Sequence, residues 1–175
     1  MMRNWFFEQM AMYSAYHRDG RNQATHHIGV PLIVFSILVL AAQVPLVTLA
    51  IGPLTLAGAL ISILLLVYII AVPMVGIIAT FVYMVLLYIA EQFGPNDSPY
   101  LIFATCFVGG WIIQFIGHGF EGRKPALFDN LLQIFMAPAF LIAEILFTLK
   151  LQNHLEEEIA ARIDKYLPQG KEATS

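Results

Sequence analysis

The chain has 175 residues, of which 59% are hydrophobic and only 12% charged, with a formal net charge of −3. Soluble domains carry about 25% charged residues, so this composition, with a mean hydropathy of +0.74, excludes an ordinary soluble domain and offers no basic surface for nucleic acid. The single cysteine, Cys106, excludes an intramolecular disulfide framework and reads as a packed membrane thiol.

The length suits one domain, set here at residues 1–168, with 169–175 as a flexible tail. Residues from about Arg3 to His17 predict a short amphipathic helix. Trp5, Phe6, Met10, Tyr13 and Tyr16 recur at helical spacing opposite Glu8 and Arg18, a pattern that favours the lipid–water interface. Asp19 and Gly20 then break the helix. The N-terminus is polar and aromatic, without the pattern of a cleavable signal.

From Ala24 to Ala90 there is no Asp, Glu, Lys or Arg. A span needs about 20 apolar residues, so this stretch predicts three spans, near Gly29–Ala42, Leu54–Ala71 and Met74–Ala90, the first beginning as early as Thr25 or running past Pro45. Gln43-Val44-Pro45 through Gly52-Pro53, and Pro73, supply the breaks. EQFGPNDSPY, from Glu91 to Tyr100, is a polar turn, and a fourth span follows from about Leu101 to Gly117, with Gly109-Gly110 available for close helix packing. A fifth apolar stretch, Leu131 to Leu149, is interrupted by Pro138 and carries Glu144; it is either a kinked span or a re-entrant hairpin. The tail is an amphipathic helix stopped by Pro168 and Gly170, with His154 at its start. The fold class is therefore all-α: a polytopic transmembrane helical bundle of about four to five spans, with interfacial amphipathic helices at both ends.

Lysine and arginine placement orients the bundle. Arg3, Arg18 and Arg21 precede the first span, and four crossings bring the chain back to the same side at His118, Arg123 and Lys124. The turn before the fourth span carries only Glu91 and Asp97. Both histidine clusters are thus expected at the cytoplasmic face, in a bacterial inner membrane or the endoplasmic reticulum.

Those clusters carry the chemistry. WIIQFIGHGFEGRKPAL, Trp111 to Leu127, ends an apolar helix with His118, Glu121, Arg123 and Lys124; YSAYHRDGRNQATHHIGVP, Tyr13 to Pro31, holds His17, His26 and His27. Imidazole is the commonest metal ligand, and a His/carboxylate set with open positions suits Fe(II) or Zn(II). His17, His26 and His118 are the candidate ligands. His26 and His27 point about 100° apart on a helix, so one of the two ligates. His118 and Glu121, at i,i+3, share a face; Glu121 is either a ligand or a partner of Arg123 or Lys124. These two cations are either positive-inside anchors or the capture site for a carboxylate headgroup. Tyr13, Tyr16 and Trp111 read as interfacial aromatics. Asn22, Thr25 and Gln114 are polar neighbours able to orient imidazoles, while Glu144, in an apolar stretch, is a functional candidate without an obvious partner. Walker, nucleophile-elbow, dinucleotide, zincin and dense His-box patterns are absent from the sequence.

At these two motifs the chain resembles the 2-hydroxy fatty acid dioxygenase family, small polytopic membrane proteins whose characterised member is fungal. The first family motif matches Tyr13, Tyr16, His17, Asn22, His26 and Pro31. The second matches Trp111, Gln114, Phe115, Gly117, His118, Glu121, Arg123, Lys124, Pro125, Ala126 and Leu127, with Asp129 and Asn130 extending it. One departure falls between His118 and Glu121, where the fungal form has an additional residue. His27 lies outside the pattern. The resemblance implies Fe(II)-dependent α-oxidation, in which a 2-hydroxy fatty acid reacts with O2, loses its carboxyl carbon as CO2 and emerges one carbon shorter. It implies His17, His26, His118 and Glu121 as the catalytic metal set. Tyr16, Asn22, Gln114, Arg123 and Lys124 become candidate substrate contacts, membrane lipids the surroundings, and oligomers are left open. The competing expectations are a zinc-dependent membrane lipid hydrolase and a non-catalytic scaffold or transporter.

Overall fold

Asp19 starts the first long helix. Its carboxylate accepts the backbone N–H of Arg21 at 2.8 Å, satisfying one of the unpaired donors of a helix N-terminus. In the computed structural model, which describes residues 2–50 and 52–167, helix α2 runs from this cap as Gly20–Ala42. It begins well before the Gly29 expected from hydropathy, because the polar segment carrying Asn22, His26 and His27 is helical and continuous with the apolar span. Pro31 is accommodated within it. Asp19-Gly20 is therefore less a break than a start, since the preceding helix, α1 at Met2–Ala15, has already ended.

The remaining apolar helices are α3 Leu56–Ala71, α4 Pro73–Ala90 and α5 Pro99–Glu121. Three helices, α2, α4 and α5, are long and apolar enough to cross a membrane, and α3 is a shorter apolar helix. Pro73 occupies the first turn of α4, where a missing N–H is harmless. It makes the α3–α4 corner tight: a Cβ on Gly76 would stand 2.3 Å from the Ile69 nitrogen. Between α2 and α3 the chain forms an antiparallel hairpin, β1 Pro45–Leu49 with β2 Gly52–Thr55. Hydropathy gave only a break there.

Helix α2 packs antiparallel on α5 through glycines. Gly29 faces the Gly110 carbonyl, with 3.0 Å for an added Cβ, and Gly110 faces Ile33. Lower down, a Cβ on Gly117 would fall 2.0 Å from Thr25 Oγ1 and 2.6 Å from Asn22 Oδ1. Of the glycine pair at 109 and 110, only Gly110 meets a neighbour within 4 Å. The antiparallel packing puts the start of α2 beside the end of α5, and so joins the two histidine clusters.

The fifth apolar stretch forms one helix, α6, Gln133–Thr148 with Pro138 inside it, and the expected tail helix is α7, Asn153–Ile163, bent from α6 by 117°. The bend lays α7 against α1, Met2–Ala15. The α1 face expected at lipid is consequently buried in protein: Phe6, Met10 and Tyr13 are each less than 5% exposed, whereas Trp5 is 42% exposed. Glu8 completes the junction, accepting hydrogen bonds from Lys165 Nζ at 3.0 Å and the Tyr166 hydroxyl at 2.8 Å. Pro168, Gly170 and the tail at 169–175 lie outside the described residues.

Candidate metal centre

His17 follows the last turn of α1, His26 lies in the second turn of α2, and His118 lies in the last turn of α5. Each offers a ring nitrogen within 4.8 Å of those of the other two, and all three side chains are buried. The ring centroids stand 4.3 to 5.0 Å apart.

The hydrogen bonds around the rings fix their tautomers. His17 Nδ1 donates to the Tyr13 carbonyl at 2.7 Å, and His26 Nδ1 donates to the Asn22 carbonyl at 2.8 Å. A carbonyl only accepts, so both Nδ1 atoms carry the proton and both Nε2 atoms carry a lone pair. Those two Nε2 atoms are 2.9 Å apart. Facing lone pairs repel unless something positive lies against both. His118 Nδ1 is also buried without a partner among the described residues. Backbone-anchored imidazoles of this kind are how proteins preset metal ligands, and metal–imidazole bonds of about 2.0–2.1 Å suit nitrogens this close. The donor set therefore fits a divalent metal ion. Burial, followed by the neighbouring His26, pushes the His17 pKa well below its usual value and keeps that ring neutral, the form that binds metal.

Glu121 stands outside this group. Its carboxylate accepts from the Arg18 and Asp19 backbone N–H groups and from Asn22 Nδ2, at 2.7 to 3.1 Å. Its contacts are with the loop that carries His17. Tyr13 stacks on His17 with centroids 4.0 Å apart, which makes it part of the centre rather than a belt residue. Asn22 is 0% exposed, and its backbone carbonyl accepts from both His26 Nδ1 and Thr25 Oγ1.

A cavity of about 530 Å³ opens from the three histidines. Its wall is almost wholly apolar, with Gln114 and Gln133 among its few polar side chains. It reaches the outer surface at Leu60, Ile63 and Phe135, all more than half exposed. Of the candidate substrate contacts, Gln114 lines this cavity, whereas Tyr16, Asn22, Arg123 and Lys124 do not. Arg123 donates to the Ala15 carbonyl at 2.6 Å and lies 4.0 Å over the Tyr16 ring. Lys124 pairs with Asp129 at 2.5 Å, and the Tyr16 hydroxyl donates to the same carboxylate. Together Lys124 and Tyr16 hold the Asp129 carboxyl below its usual range.

His27 lies away from the triad and faces Glu144, Nε2 to Oε2 at 4.0 Å. Each is thus the neighbour that could not be assigned from sequence. Gln133, two residues into the fifth apolar stretch, also lines the cavity; nothing in the sequence pattern there sets it apart from a helix start.

A helical bundle of membrane type, with three converging histidines at one end of an apolar cavity, defines a site able to hold a metal beside a long apolar ligand. Residues 4–149 match the family model described as 2-hydroxy-palmitic acid dioxygenase Mpo1-like. The 2-hydroxy-palmitic acid dioxygenase MPO1 of Saccharomyces cerevisiae is 33% identical over 150 residues, covering 85% of this chain and 83% of that protein. The chain belongs to the Mpo1-like family. No solved structure matches it.

Proposed function

We propose that this protein is an Fe(II)-dependent dioxygenase of 2-hydroxy fatty acids, converting R–CH(OH)–COOH and O2 into R–COOH, CO2 and water. The observation that carries the reading is the convergence of His17, His26 and His118 on one end of the apolar cavity, in a chain of this family. The yeast relative's name supplies the substrate class.

His17, His26 and His118 would hold the metal, leaving positions open for small ligands. Ferrous iron bound there supplies redox chemistry with O2, which imidazole and amide groups alone lack. The chain's own residues do the rest. The Tyr13 and Asn22 carbonyls hold His17 and His26 in the Nδ1–H tautomer, so both Nε2 atoms face the centre. Glu121 clamps the loop bearing His17. Val30, Ile33 and Leu64 line the cavity and exclude water from the acyl chain.

Residues 1–168 form the single catalytic domain in this reading, integral to a membrane and with the centre at its cytoplasmic face. Arg18, Arg21, Arg123 and Lys124 flank the histidine end, while Glu91 and Asp97 flank the other.

The test is elemental analysis of anaerobically purified protein, wild type beside His118→Ala, followed by exposure to 2-hydroxypalmitate and O2. Near-stoichiometric iron that falls in the variant, with pentadecanoate formed by wild type alone, is the expected result. Zinc with O2-independent lipid hydrolysis would replace this reading with a hydrolase. Failure to retain any metal after Fe(II) reconstitution would leave a non-catalytic protein.

A further inference from the structure

Gln133 stands at the start of α6, lines the same cavity as the three histidines and is 1% exposed. Its amide orientation follows from a chain of three hydrogen bonds. The Leu132 backbone N–H, which only donates, gives to Asn130 Oδ1 at 3.0 Å. Asn130 Nδ2 is therefore its donor end, and it gives to Gln9 Oε1 at 2.8 Å. Gln9 Oε1 also receives Gln133 Nε2 at 2.8 Å. With the NH2 of Gln133 committed to Gln9, its Oε1 is the atom left over, and that oxygen is buried with no donor among the described residues.

A buried acceptor without a donor is destabilising, so folds keep few of them and each calls for an explanation. The residue that carries this one lines the cavity. Its anchor, Gln9, lies one helical turn before Tyr13 on α1, and Tyr13 stacks on His17. Gln133 is thus tied, through Gln9, to the helix whose Tyr13 stacks on His17.

The proposed substrate supplies the missing group. An ionised fatty acid has only acceptors at its head, and its alkyl chain has no donors. The 2-hydroxyl is the single donor a 2-hydroxy acid adds. We infer that Gln133 is a specificity-determining residue whose Oε1 accepts the hydrogen of the substrate's 2-hydroxyl and so selects 2-hydroxy acids over unsubstituted ones. The inference rests on the dioxygenase reading and names the group within that site that recognises the substituent.

Equilibrium binding tests it without turnover. The full chain in lipid nanodiscs is titrated anaerobically with 2-hydroxypalmitate and with palmitate, wild type beside Gln133→Met. Wild type should prefer the hydroxy acid. Gln133→Met should weaken that acid about tenfold, equivalent to about 1.4 kcal/mol, and leave palmitate within about twofold. Gln133→Asn retains an amide but withdraws the acceptor by one methylene; it should lose the same preference and serves if the Met variant does not fold. A ratio of the two dissociation constants that is unity in wild type, or unchanged in the variants, overturns the role of Gln133 alone. Wild type that binds neither acid overturns the dioxygenase reading together with it.

Discussion

The carboxylate of Glu121 accepts the backbone N–H of Asp19 at 2.7 Å, across 102 residues of sequence. With the parallel bonds from Arg18 it fastens the loop bearing His17 to the end of α5, which bears His118. On the proposed reading, Glu121 positions His17 and does not itself bind the metal. Glu121→Gln should lower metal affinity about 10- to 100-fold, the usual effect of losing such support. With Co(II) as the probe, the visible spectrum of the saturated variant should match wild type, because three imidazoles remain. A changed spectrum would make Glu121 a ligand instead.

Gly117 sets how closely α2 and α5 approach at the histidines. An added methyl would lie 2.0 Å from Thr25 Oγ1, and overpacking of this kind costs about 1–3 kcal/mol. Gly117→Ala should lower the melting temperature and release metal together. Adding Thr25→Ala should restore part of both, while the contact with Asn22 keeps the rescue incomplete. Full metal binding by Gly117→Ala would show that the centre tolerates separation of the two helices.

Asp19 gives the fold an acid-sensitive cap. Arg21, through its side chain and then its backbone N–H, holds the Asp19 carboxyl at a pKa of about 2, below the usual 3.8. A depressed carboxyl favours the folded state at full strength above pH 3.8, and that contribution disappears as pH falls through about 2. Asp19→Asn, which caps without titrating, should lose this component of acid sensitivity. Asp19→Ala should melt lower throughout the neutral range. Superimposable acid-unfolding curves for wild type and Asp19→Asn would dismiss the cap as a pH-dependent element.

Arg123 is committed to the Ala15 carbonyl and the Tyr16 ring. Arg123→Ala should therefore destabilise the junction of α1, by about 0.5–2 kcal/mol for the cation–π contact alone. Affinity for a fatty acid should change little at temperatures where the variant is folded. A large loss of affinity with an unchanged melting temperature would return Arg123 to the substrate site.

The bundle was legible because long uncharged runs and proline breaks report directly on helix and turn. The three histidines were legible because charge placement and crossing parity put their clusters at one end. What escaped depended on contacts between distant elements. The burial of α1 follows from the 117° bend before α7, and no local periodicity encodes that. Glu121 beside Arg123 and Lys124 suggests a local ion pair, yet its partners are N–H groups on the α1–α2 loop. Gln133 and Gln9 become a polar unit only once α6 crosses α1.

The cavity that reaches the outer surface at Leu60, Ile63 and Phe135 has a kinetic corollary. On the proposed reading, an apolar mouth in the flank of the bundle would draw fatty acid from the lipid phase, a two-dimensional solvent. The variable that governs occupancy is then the mole fraction of fatty acid among lipids, and its bulk molarity has no independent effect. Rates measured at different vesicle loads should fall on one curve when plotted against surface composition, and diluting the acid with inert lipid should slow the protein even at constant total acid.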